Sequence, residues 1–283
     1  MLSYRHGFHA ANFADVHKHL VLTLLLQALQ RKDTPFCLID THAGAGLYDL
    51  LSREADKNRE YATGIELLWK QQTVPDLAQP YMQILRAVNN ADSDSALRYY
   101  PGSPLIAQFL LRPQDRLVLC ELHTTEYPLL KNHFRTDRRV AVHHQDGYHA
   151  LKALLPPAER RGLVLIDPAY ELRDEFSRCL TALTTSHARW PTGMFACWYP
   201  IQADKRCRPL LRGLESSGIR KVFVAEFYRS QHGYGKSMIG TGMVILNPPW
   251  QLEQQIADLH AWLVPLLAPP GEGSARGEWL VPE

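Results

Sequence analysis

Four carboxylates of this chain stand where a short apolar run gives way to small or polar residues, the place from which a side chain can reach a ligand. Asp40 ends FCLID and leads into THAGAG; Glu121 ends LVLCE; Asp146 precedes Gly147; Asp167 follows GLVLI and opens Asp167-Pro-Ala-Tyr170. Gly44 and Gly46 let the backbone approach a ligand where a Cβ would collide. A dinucleotide fingerprint needs a third small residue three positions after Gly46, but Asp49 stands there and would repel phosphates. A carboxylate and a glycine pair without phosphate chemistry suit a cationic ligand such as S-adenosylmethionine. At a strand end Glu121 can accept both ribose hydroxyls, and Asp146 can accept from an adenine amine. Each alone reads equally well as a cap or turn. Three in chain order, each closing a strand, point to one ligand.

Asp167-Pro168-Ala169-Tyr170 resembles the [DNS]PP[YFW] signature of enzymes that methylate exocyclic amines. The amine lone pair is delocalised into the ring, so the nitrogen must be held in line by the Asp carboxylate and the Pro carbonyl. The aromatic residue then stacks on the extruded base. A second match, Asn247-Pro-Pro-Trp250, follows the last predicted strand and is expected to be a structural stop. Near the N-terminus, Tyr4, Arg5, His6, His9, His17, Lys18 and His19 suit base stacking and phosphate contact. These histidines lack a matching Cys or carboxylate set, so no metal is expected. Residues 201–240 carry eight basic side chains (Lys205, Arg206, Arg208, Arg212, Arg220, Lys221, Arg229, Lys236) against three acidic ones, a stretch suited to RNA backbone contact.

The elements that must position these groups alternate. Asn12–Lys32 has helical apolar spacing, and strands are expected at 36–40, 117–121, 140–143, 162–166, 193–198, 221–227 and 242–246, mostly with helices between them. Such alternation predicts an α/β fold with a seven-stranded, mostly parallel, doubly wound sheet. The last two strands lack a helix between them and read as an antiparallel hairpin at one edge. Residues 47–100 break the rhythm, with helices expected at 60–72 and 76–90, and read as an inserted small helical subdomain. The main domain is then 1–46 plus 101–283. A short strand is expected at the C-terminal end.

The 283 residues are 46% hydrophobic, enough for a sizeable core without staples, and 31 basic against 29 acidic residues leave a formal charge of +2. That balance excludes disorder and a histone-like polybasic protein. No apolar run approaches the ~20 residues of a membrane span, and MLSYRHGFHA has no secretory h-region. The five cysteines are scattered without a CxxC pair, as in a reducing, cytoplasmic setting.

Together, MLSYRHGFHAANFADVHKH, LIDTHAGAGLY, RYYPGSPLIA, LVLCELH, QDGYHALKALLPP, RRGLVLIDPAYE and GMVILNPPWQLEQQ resemble the RlmJ family over nearly the whole chain. These are bacterial S-adenosylmethionine-dependent 23S ribosomal RNA adenine-N6 methyltransferases. The resemblance implies a Rossmann-like methyltransferase fold with a helical insertion. It places cofactor contacts on His19, His42, Ser103, Glu121, Asp146, Gly147 and Asp167, beside Gly44 and Gly46. Asp167 becomes the catalytic carboxylate, with Pro168, Tyr170 and Lys18. Tyr4, His6 and Tyr170 engage the target adenosine. A monomer acting on 23S ribosomal RNA in the cytoplasm is the expectation. One position departs from the family tetrapeptide DPPY: Ala169 replaces the second Pro. Both amine-contacting groups survive, and the lost ring loosens the loop by about 0.4–1 kcal/mol. Two alternatives stay open, a DNA adenine methyltransferase and an RNA-binding protein that has lost turnover through Ala169.

Overall fold

The computed structural model describes residues 5–90, 96–233 and 237–283. Helix α1 (Phe13–Gln30) starts at Asn12, whose side chain accepts hydrogen bonds from the N–H groups of Ala14 and Asp15. It is buried on nearly all sides, because the sheet lies against one face and the insertion against another. The chain continues through β1 (Cys37–Asp40), β2 (Leu47–Asp49), α2 (Arg53–Asn58), α3 (Ile65–Trp69), α4 (Gln79–Val88), β3 (Tyr99–Pro101), α5 (Ser103–Leu110) and β4 (Arg116–Cys120). Then come α6 (Glu126–His133), β5 (Val140–His143), α7 (Gly147–Leu154), β6 (Gly162–Ile166) and α8 (Glu175–Arg189). The last part holds β7 (Met194–Gln202), α9 (Arg208–Glu215), β8 (Val222–Tyr228), β9 (Met238–Leu246), α10 (Leu252–Leu267) and β10 (Ser274–Val281).

The main sheet has eight strands in the order β10-β8-β9-β7-β6-β1-β4-β5, one more than expected. The extra member is the terminal strand β10, which pairs antiparallel with β8 and shifts the hairpin inward; β9 sits between β7 and β8. Mostly exposed and carrying Arg276 and Glu278, β10 lacks the apolar run that marked the other strands. Charged side chains are usual on an edge strand. Elsewhere the sheet is parallel, and β1 has β4 on one side and β6 on the other. The chain therefore winds outward in both directions from β1, and a crevice opens at the C-terminal ends of the strands flanking it.

One apolar layer joins α1, α5 and α10 to the sheet; a second lies under α7, α8 and α9. The segment between β2 and β3 leaves through a three-residue antiparallel pairing, Leu47↔Pro101 to Asp49↔Tyr99. Its Ile65, Leu68, Tyr81, Met82 and Leu85 join the same cluster as α1. At the contact the Ile65 N–H donates to the Ala11 carbonyl at 3.0 Å, and a Cβ on Gly64 would lie 2.2 Å from that oxygen. Only glycine permits this approach.

Candidate active site

A cleft of about 440 Å³ lies at the C-terminal ends of β1, β4, β6 and β7, closed on one side by the start of α1. Asp167, just beyond β6, has Oδ2 2.6 Å from Lys18 Nζ. Lys18 also meets Asp15 Oδ1 at 2.8 Å, so one ammonium serves two carboxylates. Burial alone would lower the Lys18 pKa, but the two carboxylates win and raise it. Lys18 is thus a buried counter-ion to Asp167 and Asp15, not an exposed phosphate contact. Beyond the tetrapeptide, Tyr170 adopts φ +54° and turns its hydroxyl inward to donate to the Trp198 carbonyl at 2.6 Å. Its ring meets Trp198 edge-on, with centroids 5.5 Å apart.

Glu121 accepts the Gly44 N–H at 2.7 Å and the His123 N–H at 2.6 Å, which fixes both oxygens at the rim. Each oxygen keeps a second lone pair for a ligand hydroxyl. Asp146 caps α7 with Oδ1 and holds Arg178 with Oδ2 at 3.0 Å. Gly147 is packed so tightly that a Cβ would lie 2.1 Å from the Thr41 carbonyl oxygen. His42 lines the cleft against the Tyr148 ring, and burial pulls its pKa down to about 4, so it is neutral. His19 is neutral too, held down by burial, with Nδ1 2.7 Å from the Tyr100 hydroxyl.

Ser103, at the start of α5, lines the cleft and donates its hydroxyl to Asp40 at 2.7 Å. Asp40 is fully buried behind it, and burial pushes its pKa up to about 7. Gly44 has φ +60° and lines the cleft. Gly46 (φ +83°) shapes the turn, facing Leu130 and Phe134, and is not a lining residue. His6 lines the cleft and meets Asp15 at 2.8 Å. Tyr4 lies outside the described residues. His17 points away from any substrate: it is buried with Nε2 3.0 Å from His260 Nε2 of α10. Asn247 sits at the opposite edge, where its side chain donates to the carbonyls of Pro191 and Gly193 at 2.8 and 2.7 Å.

Sequence reasoning missed Asp15, Trp198 and Arg178. The i,i+3 spacing of Asp15 and Lys18 on a helix was the available signal for the first. Nothing local marked Trp198, which reads as another residue of a buried strand.

The model of a family described as ribosomal RNA large subunit methyltransferase D, RlmJ, matches residues 33–281. The chain belongs to the RlmJ family. Two relatives named ribosomal RNA large subunit methyltransferase J, from Escherichia coli K12 and Haemophilus influenzae Rd, are each 44% identical over 283 residues, covering all of both chains. A crystal structure of a Legionella pneumophila protein superposes with a TM-score of 0.88 at 37% identity, covering 96% of this chain and 98% of that one. In this RlmJ-family methyltransferase the site residues implied by the family resemblance line one cleft, except Gly46, buried in the turn, and Tyr4, which is not described; Arg5 and His17, singled out from the N-terminal pattern, are not in the lining.

Proposed function

We propose that this methyltransferase, a monomer acting in the cytoplasm without a metal, methylates the N6 amine of an adenosine in 23S ribosomal RNA with S-adenosylmethionine. The observation that carries the reading is the placement of Asp167-Pro168 in the same cleft as Glu121, Asp146-Gly147, His42 and Ser103. The residues fit the cofactor: Gly44 and Gly147 let the turn after β1 and the start of α7 pack closely enough to shape the cleft, and Glu121 offers lone pairs to hydroxyls. When bound, S-adenosylmethionine supplies a methyl group on a sulfonium centre.

The protein's own work is orientation and proton handling. Lys18 holds Asp167 by Oδ2, which leaves Oδ1 to accept a hydrogen bond from the adenine amine. The Pro168 carbonyl accepts the other amine hydrogen. So fixed, the nitrogen presents its electron pair in one direction, and alignment of reacting atoms is a major source of rate. As nitrogen gains the methyl group it loses a proton, which the Asp167 carboxylate receives and passes to solvent. Tyr170 and Trp198 wall the cleft with aromatic surface on which an extruded base stacks. Neutral His42 and His19 add no positive charge to a lining in which Lys18 and Arg178 are already paired with Asp167 and Asp146, which leaves the Glu121 carboxylate without a cationic side chain bound to it.

Incubation with labelled S-adenosylmethionine and either undermodified 23S ribosomal RNA or duplex DNA tests the reading. Label in N6-methyladenosine of the RNA supports it. Label confined to DNA, or bound cofactor never turned over, overturns it.

A further inference from the structure

His6 lies in a short 3-10 turn (His6–Phe8) ahead of α1, whereas Asp167 belongs to the far side of the cleft, on the loop after β6. An unbroken chain of polar contacts joins them: His6 Nε2 to Asp15 Oδ2 at 2.8 Å, Asp15 Oδ1 to Lys18 Nζ at 2.8 Å, and Lys18 Nζ to Asp167 Oδ2 at 2.6 Å. Asp15 is the centre of this chain. It is almost fully buried, and its Oδ2 also accepts the Ala11 N–H at 2.8 Å. Ala11 has φ +68°, an unfavourable conformation for a residue with a Cβ. Its carbonyl is pinned by Ile65 of the insertion. One carboxylate thereby fixes the backbone entry into α1, the histidine of the N-terminal segment and the ammonium that holds Asp167.

We propose that Asp15 is a positioning residue for methyl transfer, coupling the seating of the N-terminal segment at His6 to the charge and placement of Asp167 through Lys18. The inference rests on the methyltransferase reading above. With Asp15 ionised, the Lys18 charge is shared, and Asp167 keeps its strength as an acceptor. Without that charge, Lys18 binds Asp167 alone and draws its carboxylate away from the amine. Burial would raise the Asp15 pKa, but His6 and Lys18 hold it well below the usual carboxylate range, consistent with a permanently charged hub.

The test is a double-mutant cycle read by single-turnover methylation of ribosomal RNA. Asp15→Asn keeps the shape and an acceptor for the Ala11 N–H. It should slow the methyl-transfer step about a hundredfold, the loss expected from misplacing a reacting group by about 1 Å, with cofactor affinity unchanged by calorimetry. In a Lys18→Met background the same substitution should cost under about twofold, because its effect travels through Lys18. A second cycle, His6→Gln with Lys18→Met, serves if Asp15→Asn does not fold; its two effects should likewise fail to multiply. Multiplicative effects in the available cycle, or a loss confined to RNA KM, overturn the coupling. A wild-type enzyme that leaves ribosomal RNA unmethylated overturns the underlying reading instead.

Discussion

One oxygen of Asp167 is already engaged by Lys18, so the proposed mechanism leaves a single oxygen for the amine. Asp167→Ala is expected to abolish methyl transfer and leave the fold intact, since Lys18 keeps Asp15 as a partner. Asp167→Asn retains an acceptor oxygen and should keep a trace of activity; single-turnover assays on a ribosomal RNA fragment measure both. Full activity in the alanine variant would remove the carboxylate from the mechanism. Asp40 yields a prediction of another kind. Burial raises its carboxyl to about 7, against the opposing Ser103 hydrogen bond. The folded state therefore holds this proton more tightly than the unfolded chain, whose Asp titrates near ~3.9. Its contribution to stability is full below that value and is lost as pH rises through about 7. Asp40→Asn, which carries no such proton, should gain on the wild type in urea midpoint between pH 5 and pH 8. A gain in the reverse direction would mean that Asp40 is ionised in the fold.

Elements legible in the sequence were those whose burial leaves a pattern. The apolar runs at Leu38, Val118 and Val164 mark the strands on which the cleft carboxylates stand, and all three are buried on both faces. Elements that escaped lack such a pattern. Strands β2 and β3 have three residues each, too few for a period, and α5 begins among Pro101, Gly102 and Pro104, which read as a loop. The helix that follows β6 starts only at Glu175, because Tyr170 in the left-handed region and the following turn occupy the interval. The burial of Lys18 was illegible for a related reason: a lysine among histidines looks like a polar surface until a sheet and an insertion close over it. The Asn247-Pro-Pro-Trp250 element was readable from strand direction, as Leu246 pairs with Phe195 at the start of β7, far from the cleft. Asn247→Ala removes two hydrogen bonds and places alanine at φ +52°. It should cost about 2–3 kcal/mol in denaturant titration, with methylation per folded molecule unchanged.

At the scale of the whole molecule, the fold divides the basic stretch that the sequence presents as one run. Lys205, Arg206 and Arg208 follow Gln202, and Arg229 follows Tyr228, all at the edge where Gln202 and Met238 line the cleft. Arg220 and Lys221 precede β8 at the opposite edge, where they bind the C-terminal Pro282 and Glu283, and Arg212 lies in the last turn of α9. Lys236 is outside the described residues. Neutralising Lys205, Arg206 and Arg208 should weaken RNA binding and flatten its salt slope by about 0.7 per lost phosphate contact. Neutralising Arg212, Arg220 and Lys221 should leave that slope unchanged, and an equal effect of both sets would mean that RNA wraps both edges. The burial of α1 on nearly all sides also bears on how the chain is made. Its partners include strands β6 and β9 and helix α10, all encoded after it, and Lys18 lies 149 residues ahead of Asp167. At synthesis rates of about 5–20 residues per second, roughly 7–30 s separate the two. Throughout that interval the nascent α1 displays apolar faces whose partner strands and helix have not yet been made, so its burial and the Lys18–Asp167 pair are both late events in the making of the chain.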